Sequence, residues 1–369
     1  MPRRKKVEQA YPIRMAEDAF AEGNAEVAEL LREVTGAESP RVALVADANV
    51  VQRTEGLGRK IGRYFQENGI SLAASPVVIQ GGEKAKADGF QNALLVARSI
   101  LSARVGVGDA VVALGGGTIL DIAGWAAAQV RGGVKIVRIP TTVASMLDGA
   151  FATTAAIDGP EAKDGFRVRS EPAAVVLDPL FANTVLDGVW CAGFGEAVRY
   201  AAVCDAPFMK RLAKRVEGIK SRDPGVLRDT ISECVASRGG AQYVPFAQWC
   251  AARLEEMSGY KLPHGYAVAI AICVDCAYAV KKGYMKEGDQ ELVCRTLAEC
   301  GALDGLQHSQ HLLSGNDRLM RGFDSWALST GSKAIPLPGA LGKSVMDDSP
   351  DSAAYADVLA DFLEASRAD

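Results

Sequence analysis

His264 stands in the turn "SGYKLPHG" (258–265), with a helical stretch before it and a second one opening just after it. An imidazole so placed, sixteen residues beyond a polar helical position (264 − 248 = 16), reads as half of a metal site, and the polar residue here is Gln248. A second kind of chemistry is written in "LGGGTILD" (114–121), which follows a strand-like run and opens a helix. Three consecutive glycines let a backbone approach a ligand closely, and the helix N-terminus favours an anion. The spacing is not GxGxxG, so neither a P-loop nor a standard Rossmann fingerprint describes it. Two further segments, "GGEKAKAD" (81–88) and "IPTTVASMLD" (139–148), end strand-like runs in the same way.

Those segments need a scaffold. From 41 to about 180 the chain alternates buried-strand runs with helical stretches: "RVALVAD" (41–47), "SPVVIQ" (75–80), "DAVVALGGG" (109–117), "VKIVRIPTT" (134–142) and "AAVVLDP" (173–179). Strands separated by helices predict right-handed crossovers and a mainly parallel, Rossmann-like sheet, with ligands beyond the carboxyl ends of its strands. After about 185 helical patterns dominate, apart from an extended piece in "KAIPLPGALG" (333–342). The expected organisation is an N-terminal extension (1–40), an α/β domain (41–185) and an all-α domain (186–369), with the site in the cleft between them.

Bulk properties narrow the class. With 49% hydrophobic and 23% charged residues the chain is an ordinary globular protein, and its net charge of −4 asks for no nucleic acid. The basic "PRRKK" (2–6) reads as a frayed tail. No run of 18 apolar residues and no secretory h-region occur, so neither membrane insertion nor export is expected; the chain should stay in the cytoplasm with its eight cysteines reduced. Cys273 and Cys276 form a CxxC inside the apolar run "AVAIAICVDCAYAV" and read as core thiols. His308 and His311, in "HSQH", read as a solvated helix face.

The ordered set GExxK, GGGxxxD, PTT and a late HG turn resembles the sugar phosphate cyclases of the dehydroquinate synthase-like superfamily, which also includes iron-type alcohol dehydrogenases. The resemblance spans about 41 to 345 and includes "DGVWCAGFGEAV" (187–198) and "WALSTGSKAIPLPGALGKSV" (326–345). It implies an NAD site in which Gly115, Gly116, Gly117 and Asp121 hold the pyrophosphate. Glu83 and Lys86 would lie near the adenosine ribose, Asp47 would be an acidic ribose contact, and Thr141 and Thr142 would lie on the nicotinamide side. It also implies a divalent metal, zinc or cobalt, held by Glu196, His264 and the position of Gln248. Asp148, Lys163, Arg199 and Lys343 would form the catalytic, substrate-binding group.

Against that pattern the catalytic half departs. The family's "FGHxxxH" falls on "FAQWCAA" (246–252), so one histidine ligand becomes Gln248 and a histidine beside the substrate becomes Ala252. A neutral amide oxygen is a weak zinc donor, and alanine relays no proton. Thr154 stands where a lysine is expected, Asp164 for an asparagine, Arg199 for a lysine and Tyr266 for a glutamate. The resemblance implies a redox-neutral cyclisation of a keto-sugar phosphate in a homodimer: NAD oxidises a secondary hydroxyl, phosphate is eliminated, the hydride returns and an aldol closes the carbocycle. The alternatives are an NAD-dependent alcohol dehydrogenase, and a catalytically silent NAD-binding homologue that partners an active paralogue.

Overall fold

The computed structural model describes residues 11–160, 162–238, 244–314 and 316–368. The basic "PRRKK" tail lies outside them. The chain separates into two compact units, one ending at Val185 and the other beginning at Leu186.

In the first unit β1 (Ile13–Met15), β2 (Arg41–Asp47), β3 (Ser71–Leu72), β4 (Val77–Ile79), β5 (Ala110–Gly115), β6 (Lys135–Pro140) and β9 (Ala174–Leu177) form one seven-stranded sheet. Its order is β1-β9-β6-β5-β2-β3, with β4 also on β2, and every pairing is parallel. The central strands are buried almost throughout, as their continuous apolar runs require when helices cover both faces. A hairpin of β7 (Thr154–Gly159) and β8 (Ala162–Arg169) stands apart from this sheet, with a bulge between Ile157 and Gly159.

Two differences from the sequence reading concern the first unit. Residues 13–35, taken there as part of an extension ahead of residue 41, supply β1 and the helix Glu26–Thr35, which buries Val27, Ala28, Leu30, Leu31 and Val34. β1 is three residues long and mostly exposed, so no apolar run announces it; its register on β9, Ile13 opposite Val175, comes from tertiary packing. The hairpin is also new. β8 carries charge at four of its eight residues and shows no buried face to read.

The second unit is helical apart from a short antiparallel pair, β10 (Ile335–Pro338) and β11 (Ser344–Asp347). Its centre is the helix His264–Lys281, apolar around its circumference and buried from Ala267 to Cys276. By length and composition this helix could cross a membrane, but it is the core helix of the unit. The helices Asp187–Gly193, Gly195–Cys204, Gln248–Met257, Glu287–Glu299 and Ser352–Ala368 pack on it. Gly265 lets its first turn come close: a Cβ there would lie 2.7 Å from the Ala192 carbonyl carbon. That close approach brings the helix bearing Glu196 up to His264.

Candidate active site

In the α/β unit the loops after β2, β4, β5 and β6 are tied together at one edge of the sheet. Asp47 ends β2 and caps the next helix through the Asn49 N–H at 2.8 Å, while the N–H groups of Gly81 and Gly116 lie against its carboxylate. Burial raises its pKa in spite of these neighbouring N–H groups. Gly81 cannot carry a side chain here, since a Cβ would stand 2.2 Å from Asp47 Oδ2. The Thr141 N–H donates to the Gly115 carbonyl at 3.1 Å, and a Cβ on Gly116 would meet Thr142 Cγ2 at 3.0 Å. Thr142 caps the following helix in a capping box with Ser145. The glycine turn, the GE loop and the PTT loop are therefore contiguous.

Next to them lies a dense cluster of charge. Lys86 Nζ sits 2.7 Å from both Asp121 Oδ2 and Asp164 Oδ1, 3.5 Å from Glu83 Oε1 and 4.0 Å from Asp158 Oδ1. Lys163 pairs with the same Glu83, whose other oxygen accepts the Thr118 hydroxyl at 3.0 Å. Burial disfavours the Lys86 ammonium, but the surrounding carboxylates, Asp121 and Asp164 above all, hold its pKa well above the ordinary value. Burial pushes Asp158 up to about 6, against the pull of Lys86 and Lys163. Asp164 goes the other way: burial opposes its charge, yet Lys86 and Lys163 hold its carboxyl well below the usual range. Glu83, Lys86, Asp121 and Lys163 are thus brought together. Asp158 and Asp164 were not singled out as members of such a cluster, because the hairpin that delivers them is not legible locally.

Asp148 lies at the end of the short helix Val143–Leu147, and its neighbour Gly149 lies against the glycine turn, where a Cβ would be 3.7 Å from Gly117 Cα. Thr154 is exposed at the start of β7.

The helical unit builds a second polar cluster. His264 Nε2 lies 3.0 Å from Glu196 Oε1, and its Nδ1 lies 2.8 Å from Glu255 Oε1. Glu196 Oε2 in turn meets Arg199 Nη2 at 2.6 Å, one helical turn along. Both carboxylates are buried, while 45% of the imidazole remains accessible. Burial pulls the His264 pKa down, but the charge of Glu255 and the bonds to both carboxylates outweigh it and raise it to about 10. Glu255 is the member of this cluster that the sequence reading missed. Its signal was a carboxylate on the buried face of the helix Gln248–Met257, beside Leu254 and nine residues before His264.

Gln248 opens that helix, after Ala247 in left-handed backbone (φ 61°). Among the described residues no hydrogen bond joins its side chain to Glu196 or His264. Ala252 is half-buried, and the Tyr266 ring packs against Gly188 and Gly305. Lys343 is exposed in the turn before β11. His311 is exposed, and the side chain of His308 lies outside the described residues.

A three-donor metal site does not assemble from these residues. Glu255 behind His264 is the kind of carboxylate that orients a metal-bound imidazole. However, Glu196 and His264 are two strong donors where a catalytic zinc takes three, and the third position offers a neutral amide. Among the described residues no group of three or more His, Cys, Asp or Glu side chains is placed to hold a metal ion.

Fold and clusters together define a parallel α/β unit with a glycine turn at its loop edge, followed in the chain by a helical unit with a carboxylate–imidazole centre. The chain belongs to the 3-dehydroquinate synthase family: residues 76–190 match its N-terminal model and residues 193–312 its C-terminal model. The 3-dehydroquinate synthase of Pseudomonas putida (strain W619) is 27% identical over 308 residues, 80% of each chain. That of Sinorhizobium medicae (strain WSM419) is 26% identical over 365 residues, 94% of this chain and 91% of that one. Among solved structures, 2-epi-5-epi-valiolone synthase from Streptomyces hygroscopicus subsp. jinggangensis 5008, with NAD+ and Zn2+ bound, superposes with a TM-score of 0.82 at 21% identity, covering 97% of this chain and 98% of that chain. A 2-deoxy-scyllo-inosose synthase complexed with carbaglucose-6-phosphate, NAD+ and Co2+ gives 0.77 at 17% identity, covering 96% and 98%. At these identities the likeness is one of fold.

Proposed function

We propose that this chain is an NAD-dependent sugar phosphate cyclase of the 3-dehydroquinate synthase type, a carbon–oxygen lyase acting on a keto-sugar phosphate, whose metal position has lost its second histidine. One observation carries the NAD assignment. The tied loops leave open space above Gly117, where a Cβ would meet nothing within 4 Å, and the buried Thr141 Oγ1 has no hydrogen-bond partner among the described residues. A buried hydroxyl without a partner is costly, and a polar ligand at this edge would satisfy it. The family match over both halves and the NAD+ bound by two solved structures of the same fold support the reading.

When bound, NAD supplies a hydride acceptor that is regenerated within the cycle. The protein's part in the α/β unit is positional. Gly115, Gly116 and Gly117 allow close approach of a pyrophosphate, and the first N–H groups of the helix Gly117–Gln129 offer it donors. Glu83, Lys86 and Asp121 are fixed by their mutual pairs, with Thr141 and Thr142 on the adjoining loop and Asp148 beside Gly149. In the helical unit, Glu255 fixes the imidazole, and His264 Nε2 can hold or pass a proton against Glu196. Arg199 neutralises Glu196, and exposed Lys343 remains for a substrate anion. No step is assigned to a metal, because the donor set does not make a catalytic site. The active form is assigned as a cytoplasmic homodimer.

The test is release of inorganic phosphate from a panel of keto-sugar phosphates with NAD at less than stoichiometric amounts. A cyclase releases phosphate with no net NADH. NADH accumulating with substrate would make the chain a dehydrogenase. The missing third donor favours a second reading, a silent NAD-binding homologue, for which NAD binds, neither product forms, and a homologous chain with intact histidines co-purifies.

A further inference from the structure

β6 runs through the middle of the parallel sheet and is buried from Ile136 to Pro140, yet its fourth residue is an arginine. Arg138 is 1% exposed, stands opposite Ala113 of β5 and Val175 of β9, and makes no ion pair among the described residues. Burial pulls its pKa below the ordinary guanidinium value, against the charge of Asp121. A buried cation without a counter-ion is costly and persists only where hydrogen-bond acceptors compensate it. Here the acceptors are three main-chain carbonyls. Nη1 donates to the Ala152 oxygen at 2.6 Å and to the Ala150 oxygen at 3.3 Å, and Nη2 donates to the Ser170 oxygen at 2.6 Å. Gly124, on the helix Gly117–Gln129, leaves room for this fork: a Cβ there would stand 3.5 Å from Nη2. Two of the carbonyls belong to the turn Gly149–Phe151 and the residue after it, and the third follows the end of β8.

We propose that Arg138 is a positioning residue for the NAD site: its guanidinium holds the turn Gly149–Phe151 against the glycine turn and so sets where Asp148 stands. This rests on the assignment of NAD to the glycine turn. Asp148 opens the held turn. Its carbonyl accepts the Phe151 N–H at 3.0 Å, and the Gly149 carbonyl accepts the Ala152 N–H at 3.3 Å. Gly149 is the contact with the ligand edge, since a Cβ on it would lie 3.7 Å from Gly117 Cα. A single 3-10 turn has poor hydrogen-bond geometry of its own, so charge-assisted bonds from a buried guanidinium are the stronger restraint. Arginine suits the task because two of its nitrogens reach two segments at once, whereas a lysine offers all its donors from one atom. Arg138 is buried and donates to main chain alone, so it acts through the turn.

The experiment compares the full-length wild type with Arg138→Lys and with Ile136→Val, a change on the same buried strand that leaves the fork to the turn intact. Amide hydrogen exchange read by mass spectrometry reports on residues 148–153, and calorimetric titration with NAD reports on the site. Arg138→Lys should raise exchange over 148–153 by at least about tenfold while peptides of the helical unit exchange as before. It should weaken NAD by about tenfold, because binding must then order a turn that the wild type holds ready. Ile136→Val should do neither, which separates positioning from a general loss of stability. Should Arg138→Lys fold poorly, the wild type supplies the second arm: saturating NAD should slow exchange over 148–153. The proposal is overturned if the turn is equally protected in Arg138→Lys, if it opens with NAD affinity unchanged, or if bound NAD leaves its exchange unaltered. Failure of the NAD assignment would show in the wild type as no binding at all, and failure of the proposal only where NAD binds.

Discussion

Asp275 offers the sharpest quantitative test, because it is a fully buried carboxylate with no basic partner. It lies on the central helix His264–Lys281 and accepts the Trp249 indole N–H at 3.1 Å and the Tyr355 hydroxyl at 2.9 Å on one oxygen. Its other oxygen has no hydrogen-bond partner by distance and angle among the described residues, although the N–H of Ala247, just before Gln248, lies against the carboxylate. Burial outweighs these donors and lifts its pKa from 3.8 to about 7. Between those two values the folded chain keeps a proton that the unfolded chain has released, so stability falls as pH rises through the window and levels off above about 7. The full window is worth about 4 kcal/mol, of which about 2.5 kcal/mol falls between pH 5 and 8. Asp275→Asn is neutral throughout and keeps one oxygen for Trp249 and Tyr355. The variant should therefore gain about 2.5 kcal/mol on the wild type between pH 5 and pH 8. Urea unfolding followed by tryptophan emission measures this, with each transition compared separately because a chain of two units need not unfold in one step. Parallel curves for the two proteins from pH 5 to 8 would refute the reasoning, since Asp275 would then be ionised in the folded chain.

Gly117→Ala should leave thermal stability unchanged or raise it by up to ~1 kcal/mol, since the site is an open helix start. It should nonetheless weaken NAD binding by about tenfold or more in calorimetric titration; unchanged affinity would place NAD elsewhere. Lys86→Met strips the shared cation from Asp121 and Asp164, and should cost about 3–5 kcal/mol in denaturant unfolding, as breaking buried pairs does. Metal content by plasma mass spectrometry after gel filtration should be well below one zinc per chain, and Gln248→His should raise retained zinc at least about tenfold. Stoichiometric zinc in the wild type would show that Glu196, Gln248 and His264 suffice.

Much of this molecule is legible from local pattern. The parallel sheet follows from strand-like runs separated by helices, and the ligand edge from glycine-rich and polar segments ending those runs. Spacing also drew attention to His264, which the structure places between two carboxylates. Tertiary structure decided what no local pattern encodes, namely which charges share a neighbourhood. Lys86 and Lys163 look like free ligand-binding cations in the sequence, yet the hairpin of β7 and β8 places Asp158 and Asp164 among them. His264 looks like half of a metal site, yet the helix turn folds Glu255 onto one ring nitrogen while Gly265 lets Glu196 reach the other. Periodicity reports whether a side chain faces the core and is silent on what it meets there. Electrostatic character depends on those meetings, because Coulombic and hydrogen-bonding interactions act across a few ångströms of space and take no account of separation along the chain.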